Sequence, residues 1–130
     1  MLIKELQKIY DSEINFFIST FWDGGFSVKL GDEMNGFKAE TTTPTIESAI
    51  EWLISSIMFF YPKSLYVFAR TNIINKIREG FVDTDKFTFL ALQNMLEIYE
   101  TKHPHTYSEL AYKYRTEEKF YPVGIESHLA

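Results

Sequence analysis

The sequence predicts an α+β fold: an N-terminal helix, a three-stranded antiparallel β-meander packed by an amphipathic helix, then a mainly helical C-terminal half. Three observations carry this. From about Ile14 to Thr42, apolar and polar residues alternate, broken by two glycine-containing turns. From Thr45 the apolar period lengthens to that of a helix. Beyond Arg70 the period stays helical.

The elements follow in order. Leu2, Ile3, Leu6, Ile9 and Tyr10 recur at helical spacing, so a short helix is expected there, ending near Asp11-Ser12. Ile14, Phe16, Ile18, Thr20 and Trp22 alternate with Asn15, Phe17, Ser19 and Phe21, a strand of β-branched and aromatic residues. Asp23-Gly24-Gly25 signals a tight turn, because glycine accepts positive φ without a Cβ clash. Phe26, Val28 and Leu30 alternate with Ser27 and Lys29 as the second strand. Gly31 to Gly36 form the second turn. Phe37, Ala39 and Thr41 alternate with Lys38 and Glu40 as the third strand. Connections this short force antiparallel pairing.

Thr45 suits a helix N-cap, and Glu47 favours the positive end of the helix dipole. Ile46, Ala49, Ile50, Leu53, Ile54, Ile57 and Met58 form one stripe, expected to cover the Phe26/Val28/Leu30 face. Phe17 and Phe21 point the other way, so the opposite face needs its own cover. The first helix, the C-terminal helices or a second subunit are the candidates. Tyr61-Pro62 ends the helix. Leu65–Ala69 reads as a fourth strand or a buried connector. Ile73, Ile74 and Ile77 lie on a short helix ending at Gly80. Asp83-Thr84-Asp85 is the expected cap of the next helix, which runs through Phe87 and Tyr99 to about Lys102. Its apolar residues cover more than one face, the pattern of a helix buried or shared with a partner. His103-Pro104 breaks it, Tyr107–Arg115 reads as a last helix and Phe120–Ala130 as a tail. Residues 1–70 make a helix–meander–helix module and residues 71–130 a helical extension, expected to pack together as one domain.

Composition narrows the function classes. The formal net charge of −5 has no basic block against it. Phosphate backbones demand clustered Lys and Arg, so nucleic acid is a poor fit. No cysteine is present, which removes disulfides, thiol chemistry and Cys-ligated zinc. Lys4, Glu5 and Lys8 interrupt the first helix, unlike the apolar core of a signal peptide, and the apolar run Ile57–Tyr61 is far shorter than a membrane span. A cytoplasmic location without membrane association is expected. Aromatic residues reach 17%, with 12 Phe and 8 Tyr. A chain of 130 residues has limited interior, so some rings must sit at the surface, where aromatics mark association sites.

No residue set forms a catalytic, metal or cofactor signature, and no catalytic residue or cofactor is assigned. Four residues are candidate surface or ligand positions. Trp22 and Asp23 lie beside a glycine turn that could form a binding ledge; a strand-end ring covering the core edge is the commoner use. His103 and His105 are two residues apart with Glu100 nearby, but a metal site needs three or four ligands, and a polar helix end explains them. Asp23, Asp32 and Glu33 sit in or beside turns, which favour Asp for local hydrogen bonding, although paired carboxylates also serve acid–base chemistry. Tyr107, Tyr112, Tyr114 and Tyr121 alternate with basic residues, but Glu109, Glu117 and Glu118 break any positive stripe.

The segments Ser12-Glu13-Ile14-Asn15, Phe21-Trp22-Asp23-Gly24-Gly25-Phe26, Val28-Lys29-Leu30-Gly31-Asp32, Asn35-Gly36-Phe37, Ala39-Glu40 and Tyr61-Pro62 resemble a small bacterial protein family of unknown function. The resemblance covers the first half and implies a fold module without an activity. Phe26–Asp32, Asn35-Gly36 and Thr45-Ile46-Glu47-Ser48-Ala49 are also similar in order to the N-terminal module of HicB-type antitoxins. Here a helix precedes the first strand, Gly31–Gly36 replaces that family's Pro-Asp-Leu-Pro-Gly turn, and no DNA-binding segment follows. The helix–meander–helix order is similar to double-stranded RNA-binding domains too, but Glu47 and Glu51 stand where those place lysines.

Three functions are therefore expected, in this order. The first is a non-enzymatic interaction protein, homodimeric through its aromatic surplus. The second is an antitoxin-like regulator binding a small basic toxin. The third is a small-molecule binder or enzyme with a dispersed site, if Trp22, Asp23 and His103 converge.

Overall fold

Leu2, Leu6 and Ile9 line one side of the first helix, α1 (Ile3–Asp11), and start the core. The computed structural model describes residues 2–80 and 87–117. Ile3 and Tyr10, expected on the same stripe, are exposed; Glu5 takes the place between Leu2 and Ile9 and is buried. Spacing explains the correction. The buried line is Leu2, Glu5, Leu6 and Ile9, a strict i, i+3, i+4, i+7 series in which one member is a carboxylate.

The meander is present. Strands β1 (Phe16–Phe21), β2 (Gly25–Asp32) and β3 (Gly36–Thr43) pair in that order, all antiparallel. Phe16 lies opposite Leu30, Ile18 opposite Val28 and Thr20 opposite Phe26. Val28 and Leu30 have no exposed surface, and they pack against α2 (Ile46–Phe60), as the sequence predicts. Thr45 caps α2: its hydroxyl accepts the Ser48 amide at 3.1 Å, and the Ser48 hydroxyl accepts the Thr45 amide at 3.2 Å. This reciprocal bond satisfies two amide groups that the helix itself leaves free.

The third strand departs from simple alternation. Leu30 pairs with Ala39, but Gly31 pairs with Phe37, so Lys38 is an extra residue in the ladder. This β-bulge reverses the sidedness of what precedes it. Phe37 therefore does not share the face of Ala39 and Thr41. It joins Lys29 and Phe17 on the other side. Gly31 makes the crossing feasible. Its φ is +111°, and a Cβ there would stand 2.5 Å from the Gly36 carbonyl oxygen.

The segment Leu65–Ala69 is neither strand nor connector. Ser64 caps a helix, α3 (Leu65–Arg78), that includes it and absorbs the expected short helix at Ile73–Ile77. Tyr66, Val67 and Phe68 suit a strand locally. Burial on more than one side, together with the Ser64 cap, favours the helix here. The boundary between residues 70 and 71 falls within α3. Tyr66 and Val67 belong to the sheet-side core, whereas Ala69, Ile73 and Ile77 pack with Leu96 and Leu110. Helix α4 (Phe89–Lys102) is capped by Thr88, and α5 (Thr106–Thr116) follows the break at His103-Pro104. The cap expected at Asp83-Thr84-Asp85 and the tail expected at Phe120–Ala130 lie outside the described residues.

Candidate functional site

The anticipated site residues do not converge. Trp22 and Asp23 stand in the β1–β2 turn, both exposed, with Trp22 97% accessible. They line a shallow depression with Gly25, Thr43 and Pro44. His103 caps the C-terminus of α4, donates its amide to the Tyr99 carbonyl at 2.9 Å and lies against the Tyr99 ring. It borders a different, open cleft of about 610 Å³ with Lys4, Glu100 and Tyr107. His105 is exposed and caps α5 without a side-chain hydrogen bond. Among the described residues no three His, Cys, Asp or Glu side chains gather as metal ligands. Asp23 and Asp32 stand in turns at opposite ends of β2. Asp32 accepts the Asn35 amide at 2.7 Å and the Asn15 side chain at 2.8 Å, which hold its carboxyl below the usual range. That is a turn-forming role.

Two arrangements were not read from the sequence. The first is a buried polar hub centred on Glu5. Its carboxylate accepts from the Tyr66 hydroxyl at 2.5 Å and from the Gln93 amide at 2.8 Å. Lys8 lies at 3.4 Å and also bonds Glu100. Arg70 donates to the Gln93 carbonyl oxygen at 3.0 Å and stands 3.9 Å from Glu5. Burial is the largest influence on Glu5 and pushes its pKa up. Lys8, Tyr66, Arg70 and Gln93 together outweigh it and hold the carboxyl below its ordinary value. Tyr66 is driven the other way, well above the ordinary phenol value, by burial and by the Glu5 charge. The void at the hub is about 10 Å³, room for about one water and not for a substrate. With Glu5 ionised and its partners in place, the hub fastens α1 to α3 and α4.

The second arrangement is the outer face of the sheet. Phe17, Phe21 and Phe37 are 51%, 56% and 39% exposed on it. The Lys29 ammonium lies 4.9 Å from the centre of the Phe37 ring and 6.0 Å from that of Phe17. Glu40 stands 3.7 Å from Lys29. Phe17, Lys29, Phe37 and Asp32 border an open hollow of about 350 Å³. Between the two aromatic ends the face is small and polar, with Ser19 opposite Ser27 and Ser27 opposite Thr42.

No family model, curated protein or solved structure matches the chain. No helix among the described residues is long and apolar enough to cross a membrane. Of the two arrangements, the hub is closed to ligands and the sheet face is open to them.

The pair Phe17 and Phe21 was legible as outward-facing from strand alternation. Phe37 was not, because a bulge is a matter of register. The nearest signal was a glycine at each end of the turn, Gly31 and Gly36. Glu5 had one signal, its position on the apolar line of α1. Its partners are 61 and 88 residues away.

Proposed function

We propose that this chain is a non-enzymatic interaction protein that acts as a homodimer in the cytoplasm. One observation carries the reading: the bulge at Lys38 turns Phe37 onto the exposed sheet face beside Phe17 and Lys29. Bulges commonly re-aim a side chain at a working surface. Exposed rings flanked by a cation are the composition of an association surface. Light scattering tests the reading. At about 200 μM, above the dissociation constant of a small interface, a mass of twice 15.3 kDa is expected; a constant monomer mass refutes it.

A second reading, an antitoxin-like regulator, is supported by the order of three antiparallel strands and the capped helix α2 on their inner face. It predicts a short basic protein encoded next to this one that co-purifies with it. Separate elution of the two would end it. A dispersed enzyme site loses its motivation, since Trp22, Asp23 and His103 line separate depressions.

A further inference from the structure

Resting on the reading of this chain as an interaction protein, though not on its homodimer, we infer that the Phe17–Phe37 ring pair is a cation site, occupied in the free chain by its own Lys29, that takes an arginine side chain of a basic protein partner.

The hollow suits a positive group. Phe17 on β1 is opposite Lys29, and Phe37 on β3 is opposite Gly31, so the two rings flank β2. The face of an aromatic ring is its negative side, and the Lys29 ammonium lies over both, 4.9 Å from the centre of Phe37 and 6.0 Å from that of Phe17. Gly31 borders the hollow without a side chain to fill it. Three carboxylates stand around this one ammonium. Asp32 and Glu33 border the hollow, and Glu40 is 3.7 Å from Lys29. The Asn15 and Asn35 donors keep Asp32 ionised. An anion entering here would meet those carboxylates and a lysine that is already paired. A cation meets a surplus of negative charge.

Lys29 is an occupant that can step aside. Its side chain is only partly buried, and Glu40 offers it a partner outside the rings. A cation that binds the rings better can take them while Lys29 stays paired. Arginine is such a cation. Its planar guanidinium stacks on aromatic faces, is more weakly hydrated than an ammonium and can pair with a carboxylate through two N–H groups. Glu33, exposed at the rim, is the carboxylate within the hollow's border that suits this pairing. The arginine belongs to a protein and not to a free small molecule. The hollow is open, about 350 Å³, and continues into the face that carries Ser19, Phe21, Ser27 and Thr42. A free cation would stay half in water there, short of the enclosure that small ligands need. A chain carrying the arginine can cover the rest of the face. The sign of the partner's charge follows from that of this chain, whose net −5 draws a basic protein and repels an acidic one.

The test titrates the full chain with a short peptide of alternating glycine and arginine at about 0.15 M salt, where long-range attraction is screened. Binding is read from the NMR shifts of the Gly31 amide and of the Phe17 and Phe37 rings. The expected result is saturable binding that moves these signals. Phe17→Ala and Phe37→Ala, substitutions on the exposed face that leave the core intact, should each weaken it about tenfold. Lys29→Thr, which frees the rings, should tighten it about threefold, and Lys102→Thr, the same charge change at the end of α4, should not. Binding that both phenylalanine variants leave unchanged overturns the cation site, and so does a glutamate peptide that binds equally well. If Lys29→Thr abolishes binding, or tightens it no more than Lys102→Thr, Lys29 is not the occupant and the inference fails. Tetramethylammonium binding as tightly as the peptide overturns the protein partner. Light scattering of the same samples keeps the two readings apart. A monomer that binds the peptide overturns the homodimer alone, a dimer that does not bind it overturns the cation site alone, and a monomer that does not bind it overturns both.

Discussion

A carboxylate in the middle of an apolar helix stripe is an unusual choice, and Glu5 shows what it is for. The group is nearly inaccessible, yet each oxygen has a hydrogen-bond donor and two cations stand nearby. Removing one partner of a buried ionic cluster costs more than the cluster contributes, because the others stay buried without compensation. Glu5→Ala should destabilise the fold by about 3–5 kcal/mol, read as a lower urea midpoint. The pH dependence has a defined sign. The Glu5 carboxyl titrates lower in the folded chain than in the unfolded one. Its contribution is complete above the ordinary carboxylate value, about 4.3, and is lost as pH falls through the lower folded value. Tyr66 acts at the other end: its raised value gives stability that is full below about pH 10 and lost as pH rises through the folded value. Thermal melts from pH 7 to pH 3 should show a steeper decline for the natural chain than for Glu5→Gln.

At the scale of elements, the amino-acid pattern predicted the helices and strands whose faces repeat regularly. Alternation located the three strands, and the Thr45 cap located α2. Thr45→Ala should cost about 1 kcal/mol, lowering the urea midpoint with an unchanged slope. The pattern was less informative where tertiary context decides. Residues 65–69 have the β-branched and aromatic character of a strand, yet Ser64 caps them into α3 and burial on several sides keeps them there. The bulge at Lys38 was hidden because Phe37, Ala39 and Thr41 fit a regular strand equally well. Gly31 is its sensitive point. Gly31→Ala would force a Cβ against the Gly36 carbonyl at positive φ, and should destabilise by at least about 1–3 kcal/mol. Deleting Lys38 should instead give a regular ladder that keeps Phe37 opposite Gly31 on the outer face, so self-association should persist. Light scattering of the deletion variant on dilution checks this.

Over the whole molecule, α3 joins the two halves. Its N-terminal turn packs into the sheet-side core, and its remaining length packs with α4 and α5. The Glu5 hub then ties α1 to the same helix and to α4. Two cores that share a helix and a buried ionic cluster should unfold together. Trp52 lies against the sheet-side core, whereas most helix lies beyond it. In a Trp22→Phe chain, urea transitions followed by Trp52 fluorescence and by far-ultraviolet circular dichroism should coincide; separated midpoints would show that the halves are independent. The proposed homodimer belongs to this scale too. The surface proposed for it is the sheet face to which no described element of the same chain is committed.

The Glu5 hub also sets an order in time. On the ribosome Gln93 is made 88 residues after Glu5. At about 5–20 residues per second, roughly 4–18 s separate the two. During that interval the meander and α2 can form from neighbouring sequence, while Glu5 has Lys8, Tyr66 and Arg70 within reach but lacks the Gln93 amide. The last tie of the N-terminal helix to the helical half, through Gln93, therefore forms only after the sheet-side core that holds Ile9 has been made.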